Sequence, residues 1–377
     1  MTLYKENIDV CYITKWVGDY HAPRLVSLNS KLIESSKKML VLQLCSKSNF
    51  YTHKQKRREK LIKCLNFESY DLKNSIIIFL MTLYLLFVKR PNIIMVLGYN
   101  DSISIAALIY AKFFFKKIIF MSDSKGDDQK RSRKKEFIKK IIIRRFDCAL
   151  VAGERHKNYF RSLGFSKPIE THYDVIDNDY FYSASRRYRK FAQKHLQKLL
   201  GEKYILCVSR LVSRKRVPLA IKIFYSSKVY LLGYKFVLVG TGPDEHQIYN
   251  LINELKLEKF FLHIKEVPNH RMPAIYGGAT SLILSSEYDQ WGLCVNEAMS
   301  CGVPVCVSYR SGAANEIVKE SNGFVFKENE HDLASQWLLK VAESDAFRTT
   351  LSNNCLETIS QWNVDSFADS VLRLIKD

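Results

Sequence analysis

The sequence predicts an α/β protein with two nucleotide-binding-like domains, each built on a parallel sheet. Short apolar runs alternate with helical patterns along most of the chain, which is the order that parallel sheets require. Its 377 residues can form two cores of ordinary size, and 47% of them are hydrophobic, as in globular proteins. We expect the first domain to cover residues 1–183 and the second to cover residues 184–355.

In the first domain, apolar runs bounded by polar residues predict five strands. They are expected at residues 8–13, 39–44, 93–97, 118–121 and 148–151. Helical patterns lie between them, at residues 22–36, 72–88, 102–114, 132–145 and 154–163. The helix at 72–88 is apolar on nearly every side, but it is shorter than the roughly 20 residues that span a bilayer. Burial against the sheet is the preferred interpretation, and partial insertion into a membrane face is the alternative.

The charge of the chain is unevenly distributed. Residues 1–200 hold 39 Lys and Arg against 18 Asp and Glu, whereas residues 201–377 hold 19 against 20. This excess indicates an anionic partner for the first domain, either a membrane surface or a nucleic acid. The helix at 132–145 carries Phe and Ile on one face and Lys and Arg on the others, which suits an anionic membrane. A helix packed on its sheet with a solvated outer face is the simpler alternative. No nucleic-acid-binding module is recognisable, so the membrane surface is preferred.

Cysteine usage and the N-terminal residues bear on the compartment. The nine cysteines include no Cys-x-x-Cys pair, so neither a zinc site nor a disulfide framework is expected, and reduced thiols fit the cytoplasm. The N-terminus lacks the cationic flank and apolar segment of a signal peptide. Asp177-Asn178-Asp179 has the form of a metal-binding pair, but it follows a short strand and is interpreted as the entry to an interdomain linker. A cytoplasmic protein without a metal site is expected.

In the second half, residues 284–307 are the most informative. A polar turn leads into a helix whose first turn is Gly292-Leu293-Cys294. The first turn of a helix offers unpaired N–H groups and a positive dipole end, which together bind phosphate, and Gly292 lets an anion approach closely. Glu297 lies further along the same helix, where a carboxylate can accept hydrogen bonds from a diol such as a ribose. The segment predicts a nucleotide-sugar site, with an ordinary helix bearing surface acids as the simpler alternative.

Two upstream segments have the same strand–loop–helix form. Residues 204–217 place Arg210 and Lys215 in the loop after an apolar strand, and residues 235–248 place Gly240-Thr241-Gly242-Pro243 after another. Alone, a basic loop is usually only solvated, and a Gly-x-Gly pair is often only a tight turn. The interpretation of both loops therefore depends on the segment around Gly292.

Asp289, Trp291-Gly292-Leu293 and Glu297, followed by Cys301-Gly302, resemble glycosyltransferase family 4. Members carry a Glu, seven residues and a second Glu; here Asp289 takes the first position, and Glu287 is the disfavoured alternative. The resemblance is strong over residues 200–330 and looser before them. It implies the GT-B architecture, in which two Rossmann-like domains face a central cleft and a C-terminal helix, here 356–377, crosses back to the first domain.

The resemblance also implies roles for individual residues. Arg210 and Lys215 match the cations that stabilise the leaving diphosphate without a metal. Asp289 would position hydroxyls of the donor sugar, and Glu297 would hold the ribose. The other donor-binding residues would be Gly240, Gly242, Val267, Gly292, Leu293 and Cys294. The acceptor-side candidates are Gly18, His21 and Asp123; Ser122-Asp123 stands where many members have a His-Asp or similar pair.

The implied activity is transfer of a sugar from a nucleoside diphosphate sugar to a membrane-associated, polysaccharide or glycolipid acceptor, in surface glycan biosynthesis. Retention is implied, and same-face attack assisted by the leaving phosphate is the default because no nucleophilic carboxylate is evident. No cofactor is implied, and the protein is expected at the inner face of the membrane. An epimerase or phosphorylase on the same fold is one alternative; an epimerase would need no acceptor. A non-catalytic protein that binds sugars or an anionic surface is another.

Overall fold

The computed structural model describes residues 8–45, 62–67, 75–128, 132–187 and 203–376, with the backbone alone for 62–67. Three predicted features lie partly outside the described residues. They are the N-terminal segment before residue 8, residues 72–74 of the predicted helix 72–88, and the end of the linker that Asp177-Asn178-Asp179 was predicted to enter. The chain forms two compact units. The first unit contains residues 1–126, 130–175 and 364–377, and the second contains 127–129 and 176–363.

The first unit is built on a seven-stranded parallel sheet. Its strands are β1 (Val10–Thr14), β2 (Met39–Cys45), β3 (Ile62–Phe67), β4 (Ile93–Leu97), β5 (Lys117–Ser122), β6 (Cys148–Val151) and β7 (Ile169–Glu170). They lie in the order β3-β2-β1-β4-β5-β6-β7. All pairs are parallel, with Tyr12 opposite Val41 on one side and Met95 on the other. The order therefore reverses between β1 and β4.

The crossover helices divide between the two faces of this sheet. They are α1 (His21–Glu34), α2 (Ser75–Lys89), α3 (Ser102–Phe113), α4 (Arg133–Ile143) and α5 (Glu154–Ser162). The connections through α2, α3, α4 and α5 all run in one direction along the sheet, so right-handed crossovers place these helices on one face. The connection through α1 runs the other way and places α1 on the opposite face. There the last helix, α13 (Val364–Lys376), packs against α1, and Lys31 pairs with Asp369 at 2.6 Å.

The predicted strands and helices of the first half are confirmed, but two strands were not predicted. These are β3 and β7, which are short or lack an uninterrupted apolar run. The preferred burial of the helix now seen as α2 is wrong for one of its faces. Ile78, Thr82 and Leu86 are buried, whereas the opposite face is exposed. The exposed side chains are Ile76, Ile77, Leu80, Tyr84, Phe87 and Val88.

The second unit is built on a six-stranded parallel sheet. Its strands are β8 (Tyr204–Val208), β9 (Lys235–Val239), β10 (Phe261–Ile264), β11 (Ser281–Leu284), β12 (Val305–Ser308) and β13 (Gly323–Phe326). They lie in the order β10-β9-β8-β11-β12-β13, and every pair is parallel. The order therefore reverses between β8 and β11. The predicted two parallel-sheet α/β domains are confirmed.

The helices of the second unit cover both faces of its sheet. They are α6 (described over 178–187), α7 (Val217–Ser226), α8 (Glu245–Glu254), α9 (Met272–Gly278), α10 (Leu293–Ser300), α11 (His331–Glu343) and α12 (Asp345–Ile359). Pro218 lies in the first turn of α7, where its missing N–H costs no hydrogen bond. Ser344 begins α12 by accepting a hydrogen bond from Phe347 N–H.

Two chemical properties of the described residues bear on the expectations above. Every cysteine whose side chain is described is a free thiol. No helix in the described parts of the chain is long and apolar enough to cross a membrane.

Candidate functional site

The loops after β8 and β11 meet where the strand order of the second sheet reverses. Chain segments leaving neighbouring strands there turn to opposite faces, and the crevice between them is the usual ligand site of such sheets. The loop after β8 carries Arg210 and a short 3₁₀ turn, Ser213–Lys215; the loop after β11 carries Asp289. Strand order thus brings together Lys215 and Asp289, which are 74 positions apart in the sequence.

Lys215 and Asp289 form a salt bridge between these two loops. Their side chains are 12% and 13% exposed, so the pair is largely shielded from solvent, and Ser286 Oγ donates to Asp289 Oδ2 at 3.3 Å. Ser285 fixes the same junction by donating to the backbone carbonyl of Arg216 at 2.8 Å. The pair places one cation and one carboxylate at the carboxyl edge of the sheet.

Gly292 forms the N-cap of α10 with φ of +99°, a conformation that favours glycine. A Cβ there would lie 2.9 Å from Leu284 Cδ2 and 3.0 Å from Ser311 Oγ. The adjacent Trp291 is buried, and its Nε1 donates to Asn296 Oδ1 at 2.8 Å, which ties the entry of the helix to its second turn. Val295 N–H donates to Gly292 O at 2.9 Å, whereas the N–H groups of Leu293 and Cys294 point out of the helix start, so this end of α10 suits an anion.

Glu297 lies on α10 with 5% of its surface exposed. Its Oε2 accepts a hydrogen bond of 2.5 Å from the hydroxyl of Tyr276, which lies on α9 and is fully buried. Tyr276 therefore orients the carboxylate, a contact that sequence reasoning missed because the two residues belong to different helices. A Tyr inside an apolar helix next to the site was the available signal.

The pKa of the Cys294 thiol is shifted by the charged side chains of this site. Burial, followed by the negative charges of Asp289 and Glu297, raises the pKa of its thiol well above the ordinary value, with Lys215 acting in the opposite direction. The thiol is therefore protonated at neutral pH and does not act as a nucleophile. Asp289, Glu297 and Lys215 thus all act electrostatically on Cys294.

The loops after β8 and β9 pack backbone against backbone. A Cβ on Gly240, where φ is +138°, would lie 1.9 Å from Ser209 O, and one on Gly242 would lie 2.2 Å from Leu211 O. Both glycines are therefore required by close packing of the loop that carries Arg210. His263 Nε2 contacts Gly240 O at 2.7 Å and was not predicted as part of this arrangement. Arg210 itself is exposed beside this packed junction.

Two further residues lie toward the edges of the site. Val267 is partly exposed in the loop after β10, the edge strand two positions from β8. Glu287, the disfavoured alternative to Asp289, pairs with Arg216 at 3.6 Å and is partly exposed. Of the two acids, Asp289 is the one that contacts Lys215.

In the first unit, Gly18 and His21 lie between β1 and α1. Gly18 N–H donates to His21 Nδ1 at 3.2 Å, and His21 Nε2 is 3.5 Å from the Tyr173 hydroxyl. Burial, followed by the positive charge of Arg24, lowers the pKa of His21 to about 3. His21 is therefore neutral at pH 7, and because Nδ1 accepts, its proton is on Nε2. Ser122 ends β5, and Asp123 follows it, partly exposed and near Tyr173.

The Asp177-Asn178-Asp179 segment has structural contacts. Asn178 is buried, and its side-chain amide donates to Ile359 O at 2.7 Å and accepts from Ser300 Oγ at 3.0 Å. Asp177 Oδ1 accepts from Tyr180 N–H at the start of α6. Within the described residues, no group of three or more His, Cys, Asp or Glu side chains is arranged to hold a metal ion.

Comparison with known proteins gives a consistent match in the second unit. Residues 189–357 match the family model described as glycosyl transferases group 1. N-acetyl-alpha-D-glucosaminyl L-malate synthase of Bacillus anthracis is 30% identical over 161 residues, which are 42% of this chain and 39% of that protein. O-antigen chain mannosyltransferase B of Escherichia coli is 26% identical over 144 residues, or 38% and 37% of the two chains. The matches thus span about two fifths of these relatives.

Solved structures match the fold over nearly the whole chain. HepE from Anabaena, in complex with UDP and glucose, has a TM-score of 0.74 and 13% identity, covering 98% of this chain and 100% of that one. Sucrose-phosphate synthase from Thermosynechococcus elongatus has a TM-score of 0.73 and 16% identity, with 98% of each chain covered. At these identities the likeness concerns the fold. The chain thus has the two-domain fold of the GT-B glycosyltransferases, and its residues 189–357 are similar to the group 1 glycosyl transferases.

Proposed function

We propose that this protein is a glycosyltransferase of the family 4 type, which transfers a sugar from a nucleoside diphosphate sugar to an acceptor hydroxyl. The observation that carries the proposal is the convergence of Lys215, Asp289 and the N-terminus of α10 where the strand order reverses. Cations and free N–H groups there suit a diphosphate, and the buried carboxylate of Glu297 suits a diol. The group 1 match over residues 189–357 supports the same activity.

In this mechanism, the second domain binds the donor and the first binds the acceptor. Arg210, Lys215 and the first N–H groups of α10 stabilise the charge that develops on the leaving diphosphate. Glu297 accepts hydrogen bonds from the ribose, and Asp289 orients hydroxyls of the transferred sugar. The acceptor oxygen forms its bond to the anomeric carbon as the bond to the phosphate oxygen breaks. Its proton passes to that phosphate oxygen, so attack on the same face gives retention.

Acceptor binding is proposed for the loops around Gly18, His21 and Asp123. Neutral His21 carries its proton on Nε2, which lies 3.5 Å from the Tyr173 hydroxyl, whereas its Nδ1 accepts from Gly18 N–H. His21 is therefore better suited to hold an acceptor oxygen than to remove its proton. The positive charge of the first 200 residues and the cationic α4 favour a lipid-linked or membrane-proximal acceptor at an anionic membrane.

A thermal-shift screen of UDP-, GDP- and ADP-sugars tests donor binding, and product analysis with lipid-linked acceptors tests transfer. Stabilisation by one donor and a product that forms only with an acceptor are expected. A sugar isomer released without any acceptor would instead support an epimerase.

Metal dependence is tested separately. Because side chains, and not a metal ion, are proposed to stabilise the charge on the diphosphate, turnover is expected to persist in excess chelator. Loss of turnover in chelator that manganese restores would contradict metal independence.

Two conservative substitutions test the carboxylates in the same assay. Glu297→Gln and Asp289→Asn are each expected to lower turnover, since each keeps the shape of the side chain and removes its charge. Glu287→Gln, at the partly exposed acid two residues before Asp289, is the matched control and is expected to retain activity. Full activity of both site variants would refute the assignment.

Flotation on vesicles tests the charge-driven membrane contact. Recovery on phosphatidylglycerol vesicles is expected to exceed recovery on neutral vesicles and to fall with salt, since each Lys or Arg contributes about 1 kcal/mol at most. Changing Lys134, Lys135, Lys139 and Arg144 to Gln should reduce it. Equal recovery on neutral and anionic vesicles would refute the electrostatic contribution, and acidic soluble acceptors would then account for the charge.

A further inference from the structure

The outer surface of α2 and α3 is the largest group of exposed apolar side chains on a single face of the first unit, within the described residues. On α2, Leu80, Tyr84 and Phe87 follow one another at helical spacing and are 57%, 61% and 52% exposed. At the end of α3, Phe113 is 75% exposed and Phe115 is 95% exposed. The two helices pack against each other, and a shallow apolar groove runs between them.

The buried sides of the same helices already satisfy the core. Ile78 and Leu86 of α2, and Ile103 and Ala107 of α3, belong to the core of the first unit. The exposed side chains therefore add nothing to that core. Phe115, the most exposed of them, also has an unfavourable backbone φ of +53°. Single exposed apolar residues are ordinary, but a continuous group of this kind marks an interaction surface.

The charges around this surface are mostly positive, although Lys112 pairs with Asp147 at 2.6 Å. From residue 75 to residue 122 the sequence contains five Lys or Arg and one acid, Asp101. Asp101 caps the start of α3, at the end away from Phe113, and it pairs with Lys15. At the aromatic end, Arg90 lies over the ring of Phe87 at 5.5 Å. Aromatic and aliphatic side chains flanked by Lys and Arg suit the headgroup region of an anionic bilayer.

We infer that the α2–α3 surface inserts into the interface of an anionic lipid bilayer, as an apolar contact distinct from the charge-driven contact of α4. A second copy of this chain is the less suitable occupant, because pairing two such surfaces would bring like charges together on a chain of net charge +20. The position of α4 also agrees with a bilayer as the occupant. Its exposed Phe137, Ile138 and Ile141 lie on the same face of the sheet as α2 and α3.

This inference builds on the proposed membrane contact but does not depend on the proposed enzymatic activity. It predicts a part of vesicle binding that salt does not remove. In about 0.5 M NaCl the Debye length falls to about 4 Å, so exposed charges are screened while apolar insertion remains. The wild-type protein should therefore keep measurable flotation on phosphatidylglycerol vesicles at this salt concentration.

The test compares two pairs of substitutions at exposed apolar residues. Phe113→Gln with Phe115→Asn is expected to lower the vesicle partition coefficient at least tenfold, because two aromatic side chains lose their burial. Asn is chosen at 115 because it tolerates positive φ. Ile33→Gln with Leu231→Gln is the matched control. Ile33 lies on the opposite face of the first sheet and Leu231 in the second unit, at 63% and 69% exposure. The control should stay within about twofold of wild type.

A probe variant gives an independent result if the first pair folds poorly. Phe113→Trp should be quenched by lipids that carry bromine on their acyl chains, and Ile33→Trp should not exceed the wild-type background. Equal quenching of the two variants, or an equal loss of flotation in both substitution pairs, would overturn the inference. So would a dimer in lipid-free solution that Phe113→Gln dissociates, because a second copy would then cover the surface. Charge-driven flotation that salt abolishes completely would refute insertion and leave the α4 contact standing.

Discussion

Replacing Arg210 by Ala should weaken nucleoside diphosphate binding with little effect on folding. Arg210 is exposed in the loop after β8, and no salt bridge to it is present among the described residues. Lys215, the other predicted cation, is already paired with Asp289. Arg210 therefore supplies positive charge that is not neutralised within the site. We therefore expect the removal of Arg210 to weaken diphosphate binding and to leave the free energy of unfolding nearly unchanged.

The magnitude follows from the loss of one charge-assisted hydrogen bond. Such a bond contributes about 1.5–3 kcal/mol, so Kd for the preferred nucleotide should rise by about 10- to 150-fold. Arg214→Ala is the matched control. Arg214 lies in the same loop as Arg210, but its guanidinium is placed over the Tyr288 ring at 5.3 Å. Its effect on Kd should be within about threefold. The melting temperature of Arg210→Ala should equal that of wild type, because an exposed side chain is removed.

Isothermal titration calorimetry with UDP, GDP and ADP measures this effect directly. Each nucleotide is titrated into wild type, the two arginine variants and a first-unit variant such as His21→Asn. The Arg210→Ala loss should be the largest of the series. The reasoning would be refuted by an unchanged Kd for all three nucleotides in Arg210→Ala, or by an equal loss in Arg214→Ala.

Three further predictions concern stability. Tyr276→Phe should destabilise the protein by about 1–3 kcal/mol in chemical denaturation, because the buried Glu297 carboxylate loses a donor; an unchanged midpoint would show that the contact contributes nothing. His21 has a folded pKa of about 3, below its ordinary value of 6.5, so the unfolded chain binds the proton first and stability falls as pH drops from 6.5 toward 3. In His21→Asn, the melting temperature should fall less over this range, and an identical pH profile would contradict the low pKa. Gly240→Ala should lower the melting temperature more than Gly233→Ala, because both sites have positive φ but only Gly240 would place a Cβ against backbone, at Ser209 O; equal losses would show that the loop relaxes.

The secondary structure of the first half was predictable because its strands are apolar runs and its helices have clear periodicity. Residues 93–97 and 148–151 are strands with the same bounds as predicted. The edge strands β3 and β7 were missed for a physical reason. An edge strand has one neighbour and need not be uniformly apolar, and β7 has only two residues. Local sequence therefore carries little record of them.

The candidate site was predictable in its parts but not in its contacts. Gly292 and Glu297 lie on one helix, so their relation follows from helical geometry. The pairing of Lys215 with Asp289 depends on β8 and β11 being neighbours, which is a property of the whole sheet. The contact between Tyr276 and Glu297 likewise requires the packing of α9 on α10. Burial of the whole of α2 was predicted wrongly, because a helix that is apolar on nearly every side has no periodicity that indicates which face packs against the core.

The position of α13 sets an order of events during synthesis of the chain. Ser27 on α1 donates to Asp365 on α13 at 2.6 Å, across 338 positions of sequence. At about 5–20 residues per second, a ribosome needs roughly 17 to 70 seconds to make the residues between them. The whole second unit is synthesised in this interval, so it can fold while the surface of α1 that contacts α13 is still uncovered. A nascent chain that stops before residue 364 would therefore present a finished second unit and an incomplete first one, and that uncovered helix is where a chaperone would be needed.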